Sequence, residues 1–231
     1  MSVLTEILER AARTPGAVGV FDLDSTLFST QQRNHSILKE FVAIAGAPND
    51  LANVIAALAP SDMGWNVIDD LRRRGFTHRE TLQRLRSFWR DRFFRDEYLR
   101  HDQPLPGAVE FVTDLFGAGA KIFYLTGRDE PGMGRGTRLS LESHGFPLAD
   151  ERVFLRLKPR FQDEDYAFKQ GVIEEIRGLG EVVGVFENEP ANANMFAEAF
   201  PTAHVVFLET VHSPNPPPLL PHIARLRDFQ R

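Results

Sequence analysis

The sequence predicts a doubly wound α/β fold: a parallel sheet of about five strands, with a helical insertion directly after the first strand. Short β-branched apolar runs recur along the 231-residue chain, and helical patterns separate them. One long interval, from Phe28 to about Gln103, has helical periodicity and no strand pattern.

The first strand is the run Val18 to Phe21, preceded by Gly16 and too short and β-branched for a helix. It stops at two carboxylates, Asp22 and Asp24. Each charge raises the cost of ionising the other, and burial adds to it, so a cation is expected beside them. In open parallel sheets ligands bind beyond the carboxyl ends of the strands, where strand order reverses, which puts Asp22 at the ligand face. A carboxylate there can bind a hard divalent ion, attack phosphorus, or both. A second one two residues on can donate a proton to a leaving oxygen.

The insertion follows. Helical spacing recurs at Ile37-Leu38-Phe41-Val42, Leu51-Val54-Ile55-Leu58, Val67-Ile68-Leu71 and Leu82-Leu85-Phe88-Trp89. A connection of roughly 75 residues is far too long for an ordinary loop. It predicts a helical lobe over residues 29–103, set above the ligand face and able to exclude water, with 1–28 and 104–231 forming the core. Trp89, Phe93 and Phe94 are expected in the core of that lobe. Between Asp69 and Arg100 ten arginines face six acids. They predict a solvated helix face paired with Asp69, Asp70, Asp91, Asp96 and Glu97, although such an excess can also attract an anionic substrate. Phe28, Gln31, Arg33, Asn34 and His35 follow the first strand closely enough to enter a pocket, and no spacing rule selects among them.

Four further strands are predicted at Ala120 to Thr126, Arg152 to Leu157, Val182 to Glu187 and Ala203 to Leu208. Helices are predicted around Ala108 to Phe116, Gly136 to His144, Tyr166 to Arg177 and Ala191 to Phe200. The proline-rich stretch from His212 to Pro218 reads as a stiff connection into a short closing helix at Pro221 to Phe229.

Each later strand end offers a group that could serve a reacting phosphoryl. Thr126 brings a hydroxyl, and Gly127 after it lets backbone N–H groups approach a ligand. Lys169 and Lys158 compete to supply the cation, with Lys169 preferred because it follows the acidic loop Asp163-Glu164-Asp165 and precedes an apolar helical face. Glu187 and Asn188 offer oxygen ligands beside those of Asp22, suited to octahedral Mg2+.

Composition bounds the alternatives. The chain is 42% hydrophobic, has no cysteine and carries a net charge of −5, which excludes disulfide and thiol chemistry and argues against a nucleic-acid binder. No apolar run approaches a membrane span, and Glu6, Glu9 and Arg10 interrupt the N-terminal apolar positions where a signal peptide would need continuity. A cytoplasmic protein without membrane partners is expected.

Taken together, Phe21-Asp22-Leu23-Asp24-Ser25-Thr26, Leu125-Thr126-Gly127-Arg128, Lys169 or else Lys158, and Glu187-Asn188 with Asn192 resemble the four motifs of the haloacid dehalogenase-like (HAD) superfamily, over about residues 16 to 210. The insertion matches the position of that family's helical C1 cap. The resemblance implies a Rossmann-like core and a Mg2+-dependent phosphatase acting on a small phosphomonoester. It makes Asp22 the nucleophile that becomes an aspartyl-phosphate and Asp24 the general acid and then base. Thr126 and Lys169 would hold the phosphoryl group, with Leu23, Ser25, Thr26, Gly127 and Arg128 around the substrate. Mg2+ would be bound by Asp22, the Asp24 carbonyl, Glu187 and Asn188. An acid at Asp24 suits phosphate monoesters, whose alkoxide must be protonated as it leaves. Asn188 stands where the family usually has aspartate, so a degenerate domain that binds a phosphorylated ligand without turnover is the alternative.

Overall fold

The computed structural model describes residues 1–231. Six strands form one parallel sheet: β1 (Ala17–Phe21), β4 (Lys121–Asp129), β5 (Val153–Lys158), β6 (Glu181–Glu187), β7 (His204–Leu208) and β8 (Ala224–Leu226), in the order β5-β4-β1-β6-β7-β8. β1 lies inside the sheet and all five of its residues are buried, as an uninterrupted apolar run requires when both faces are covered. Helices α1 (Val3–Arg13), α6 (Ala108–Gly117) and α7 (Glu130–Ser143) pack into a core with Phe21, Phe186 and Phe229. On the opposite face α8 (Asp165–Gly171), α9 (Ile173–Leu179) and α10 (Pro190–Ala199) enclose Val20, Phe123 and Val185.

The insertion comprises α2 (Gln31–Ile44), α3 (Asn49–Ala56), α4 (Val67–Arg73) and α5 (Arg79–Phe93), with 3-10 turns at Pro60–Asp62 and Asp96–His101. Its buried Leu38, Phe41, Leu51, Leu71 and Leu85 form a third, separate core. The chain enters and leaves through an antiparallel ladder of β2 (Phe28–Ser29) with β3 (Gln103–Pro104). No helix is long and apolar enough to cross a membrane.

The elements depart from the sequence reading in five places. The sheet has six strands rather than about five, because the expected closing helix at Pro221 to Phe229 does not form: Ala224–Leu226 pairs parallel with β7 instead. Arg225 and Arg227 point outward while Leu226 is partly covered, a two-residue alternation that suits an edge strand. The helix expected from Tyr166 to Arg177 is split at Val172, next to Gly171, whose low helix propensity weakens the turn there. α7 starts earlier than expected because the Asp129 side chain accepts from Gly132 N and caps it. β4 runs on through Thr126-Gly127-Arg128, so these residues lie within the strand rather than beyond its end, where the register with β5 shifts. α1, which the strand-by-strand reading passed over, is capped by Ser2 and buries Leu4, Ile7 and Ala11 at helical spacing.

Candidate functional site

The site begins where β1 runs out. Asp22 N still donates to Phe186 O at 3.0 Å, so the carboxylate leaves the sheet edge from a fixed backbone. The next residues fold into a tight loop in which Phe28 N returns to Leu23 O at 2.9 Å. Ser25 takes the left-handed conformation (φ 62°), a strained setting for a residue with a Cβ, and Thr210 Oγ1 clasps its carbonyl.

Asp22 is 6% exposed. The expected cation is Lys169, in α8, whose Nζ lies 2.7 Å from Asp22 Oδ1 and 2.7 Å from Glu187 Oε2. Burial pushes the Asp22 carboxyl up to about 7 against the pull of Lys169, with Glu187 adding to the rise. Burial works against the Lys169 ammonium too, but Asp22 and Glu187 outweigh it and hold its pKa above the ordinary lysine value. Lys158 faces elsewhere: its ammonium binds Asp165 at 2.6 Å and the carbonyl of Asp163. Thr126 is 1% exposed; its Oγ1 accepts from Arg128 N at 3.2 Å and donates to no protein acceptor, which leaves its proton for a ligand. A Cβ at Gly127 would meet the carboxylate end of the exposed Asp165 side chain, which would have to swing aside.

Asp24 behaves unlike Asp22. Its Oδ1 accepts from Arg128 Nη2 at 2.6 Å and from Arg33 Nη2 at 2.8 Å. Both guanidiniums also bind the fully buried Asp102, Arg128 at 2.8 Å and Arg33 at 2.5 Å. Burial alone would raise the Asp24 carboxyl, but Arg128 and Arg33 outweigh it and hold it well below the usual carboxylate range. The resting structure therefore does not carry the protonated Asp24 that a general acid requires. Its Oδ2 accepts no hydrogen bond from the protein. Sequence reasoning missed this four-member cluster, although Arg33 stood among the residues able to reach the pocket. Asp102 carried no signal beyond its place at the insertion's exit.

Other expected residues take different places. Leu23 and Thr26 are fully buried, Leu23 in the hydrophobic core and Thr26 donating to Asn188 Oδ1 at 3.1 Å, so neither presents a side chain to a ligand. Arg128 lines the cavity with its guanidinium already committed to Asp24 and Asp102. Ser25 and Gly127 line it as expected. In the insertion, Arg72 and Arg73 pair with Asp69 and Asp70, but Arg74 pairs with Asp62 and Arg92 with Glu40, while Asp91, Asp96 and Glu97 bind no arginine side chain. Trp89, Phe93 and Phe94 are only partly buried and line the cavity; Trp89 also packs against the insertion's core, as expected, while Phe93 and Phe94 stand outside it. The reason is position: they occupy the last turn of α5 and its cap, where the insertion meets the core.

These groups converge on one cavity of about 480 Å³, reaching from Asp22, Thr126 and Lys169 to Trp65 and Trp89 of the insertion. The donors near Asp22 suit a hard divalent ion: its own carboxylate, the Asp24 main-chain carbonyl and Asn188 Oδ1 are all oxygens. Asn188 Nδ2 donates to Val211 O at 2.6 Å, which turns Oδ1 toward Thr26. Glu187 is less available, since Oε2 is bound by Lys169 and Oε1 accepts the backbone N–H groups of Asn188 and Glu189. No group of three or more His, Cys, Asp or Glu side chains forms a metal cage. With these three oxygens on offer, a hard ion held here would complete its shell with water.

No protein-family model matches this sequence, and no curated protein does. Solved structures do match its fold. Protein Tyrosine Kinase A of Mycobacterium tuberculosis superposes with a TM-score of 0.56 at 18% identity, covering 92% of this chain and 93% of its own. A putative phosphatase from Clostridium difficile gives a TM-score of 0.55 at 13% identity, covering 88% of this chain and 89% of its own. A HAD-superfamily hydrolase of subfamily IA from Geobacter sulfurreducens gives 0.53 at 12% identity, with 92% of each chain covered. At such identities the likeness is one of fold, and the fold is the HAD-like one.

Proposed function

From a HAD-like fold with a lysine-bound carboxylate in its cavity, we propose that this chain is a Mg2+-dependent phosphohydrolase of small phosphomonoesters, working through an aspartyl-phosphate on Asp22. The observation that carries the reading is the convergence of Asp22, Lys169 and Thr126 on one cavity. Residues 29–103 act as the cap domain over a core of 1–28 and 104–231.

Asp22 attacks phosphorus; its new O–P bond forms as the ester O–P bond breaks and the alcohol oxygen departs. Lys169 keeps Asp22 oriented and offsets negative charge, and Thr126 has a hydroxyl proton to give a phosphoryl oxygen. Water then displaces the phosphate from Asp22, passing a proton to the unbonded Oδ2 of Asp24; the hold of Arg128 and Arg33 makes that carboxylate a weak base, so the step draws chiefly on its position. Because the arginines keep Asp24 ionised at rest, the departing oxygen draws its proton from water. Asp22, the Asp24 carbonyl and Asn188 would hold Mg2+, which when bound offsets charge on the phosphoryl oxygens.

The test is hydrolysis of a phosphomonoester panel with and without Mg2+, coupled to mass-spectrometric trapping of a phosphorylated Asp22 peptide. Metal-dependent turnover that vanishes in Asp22→Asn is expected; full activity in that variant sinks the mechanism. One observation favours a second reading: Asn188 contributes no charge, and both ends of its amide are engaged within the protein. Ligand-induced thermal stabilisation without any hydrolysis would favour a binding domain.

A further inference from the structure

The wall of the cavity that belongs to the insertion differs in chemistry from the phosphoryl end. It is built from Trp65 and Val67 at the start of α4 and from Trp89, Phe93 and Phe94 at the end of α5. Trp89 is fixed: its Nε1 donates to Asn34 Oδ1 at 2.8 Å and its ring stacks on Phe93 at 4.7 Å between centroids. Phe93 lies 4.4 Å from the Arg33 guanidinium, the same group that holds Asp24, so the aromatic wall and the reacting end share one support. Trp65 is 53% exposed and stacks on no other ring. An indole in that position is apolar surface with nothing to cover it, and a flat ligand would gain by doing so. Three cations line the cavity, and Arg86 alone among them pairs with no carboxylate.

We propose that this cavity selects a phosphomonoester whose leaving group is a flat aromatic ring, stacked on the Trp65 and Trp89 wall, with an anionic substituent reaching Arg86. The proposal rests on the phosphohydrolase reading and adds the identity of the leaving group. Stacking on two indoles discriminates an aromatic ring from a saturated one by about tenfold in affinity.

Benzylphosphonate and cyclohexylmethylphosphonate test it, because they match in size and head group, differ only in the ring and have no ester to hydrolyse. Titrated against the Mg2+-loaded protein by calorimetry, the benzyl compound is expected to bind about tenfold more tightly. Trp65→Leu, an exposed and structurally safe change, and Trp89→Leu should each pull that ratio toward one. A 4-carboxy group on the benzyl ring should tighten binding further, and Arg86→Ala should remove that gain. Equal affinity for the two phosphonates, or a ratio that survives both tryptophan changes, overturns the proposal; a carboxylate gain that survives Arg86→Ala overturns its anionic part. Turnover of benzyl phosphate separates the two readings. No hydrolysis with the affinity ratio intact means the enzyme reading fails and the aromatic selection stands. Hydrolysis of benzyl and cyclohexylmethyl phosphate with equal kcat/KM, with equal phosphonate affinities, means the reverse.

Discussion

Asp22, Lys169 and Glu187 form a buried group with one negative charge in excess, and that excess governs how the site responds to pH. Burial raises the Asp22 carboxyl to about 7, above its unfolded value of about 4. Between those values the folded protein binds a proton that the unfolded chain does not, so stability falls as pH rises across the window. Asp22→Asn abolishes that dependence: in metal-free buffer the variant should be more stable than the wild type by about 1–3 kcal/mol at pH 8 and equal to it near pH 4. Thermal melts at both pH values decide it. Lys169→Met does the opposite, leaving two buried carboxylates face to face, and should cost about 3–5 kcal/mol at pH 8 and less toward pH 5, where the pair takes up a proton. Asp24 runs the other way: its pairing with Arg128 and Arg33 contributes stability that is present above the unfolded carboxylate pKa and lost only in strong acid. That Asp22 and Glu187 reach the cavity was legible in the sequence because the ends of buried strands are where an α/β sheet presents ligand groups, while Thr126 reaches it from within β4. The clamp on Asp24 was not, since nothing local to Arg33, Asp102 or Arg128 says that they meet.

At the scale of elements, the buried strands β1, β4, β6 and β7 could be read directly, because apolar β-branched runs bounded by polar turns have few other solutions. β8 could not, since three residues of mixed polarity give too little pattern to separate an edge strand from a helical turn. What anchors that segment is Phe229, which is 1% exposed and packs 5.3 Å from Phe186 and 5.6 Å from Phe111 between ring centroids. Phe229→Ala should therefore cost about 3–5 kcal/mol in urea unfolding, as a core aromatic does. A cost below about 1 kcal/mol would show that the C-terminal segment only rests on the sheet. The aromatic end of α5 was legible only for Trp89, which does pack on the insertion's core, for a related reason: periodicity tells which face of a helix is apolar, not whether protein or ligand covers it.

For the whole molecule, the decisive arrangement is how the insertion joins the core. Its own hydrophobic cluster is separate, so the join runs through the β2–β3 ladder, through Asp96–His101 packed on α7, where Asp96 Oδ1 accepts from Gly136 N at 2.6 Å, and through Arg33 and Asp102 from the insertion side meeting Asp24 and Arg128. Arg33→Met keeps the bulk and removes the charge. It should speed amide exchange across α2 and residues 96–104 while leaving β1 and β6 protected, and exchange like that of the wild type would show that the ion cluster does not hold the two parts together. The ladder has a consequence of another kind. Because the insertion departs at Ser29 and returns at Gln103, hydrogen-bonded neighbours, the sheet sees it as a side branch rather than as a link in its own path. Such a branch can lengthen, shorten or be exchanged for another over evolutionary time without re-registering a strand. The half of the cavity that Trp65 and Trp89 line is thereby free to diverge while the half that holds Asp22 stays as it is.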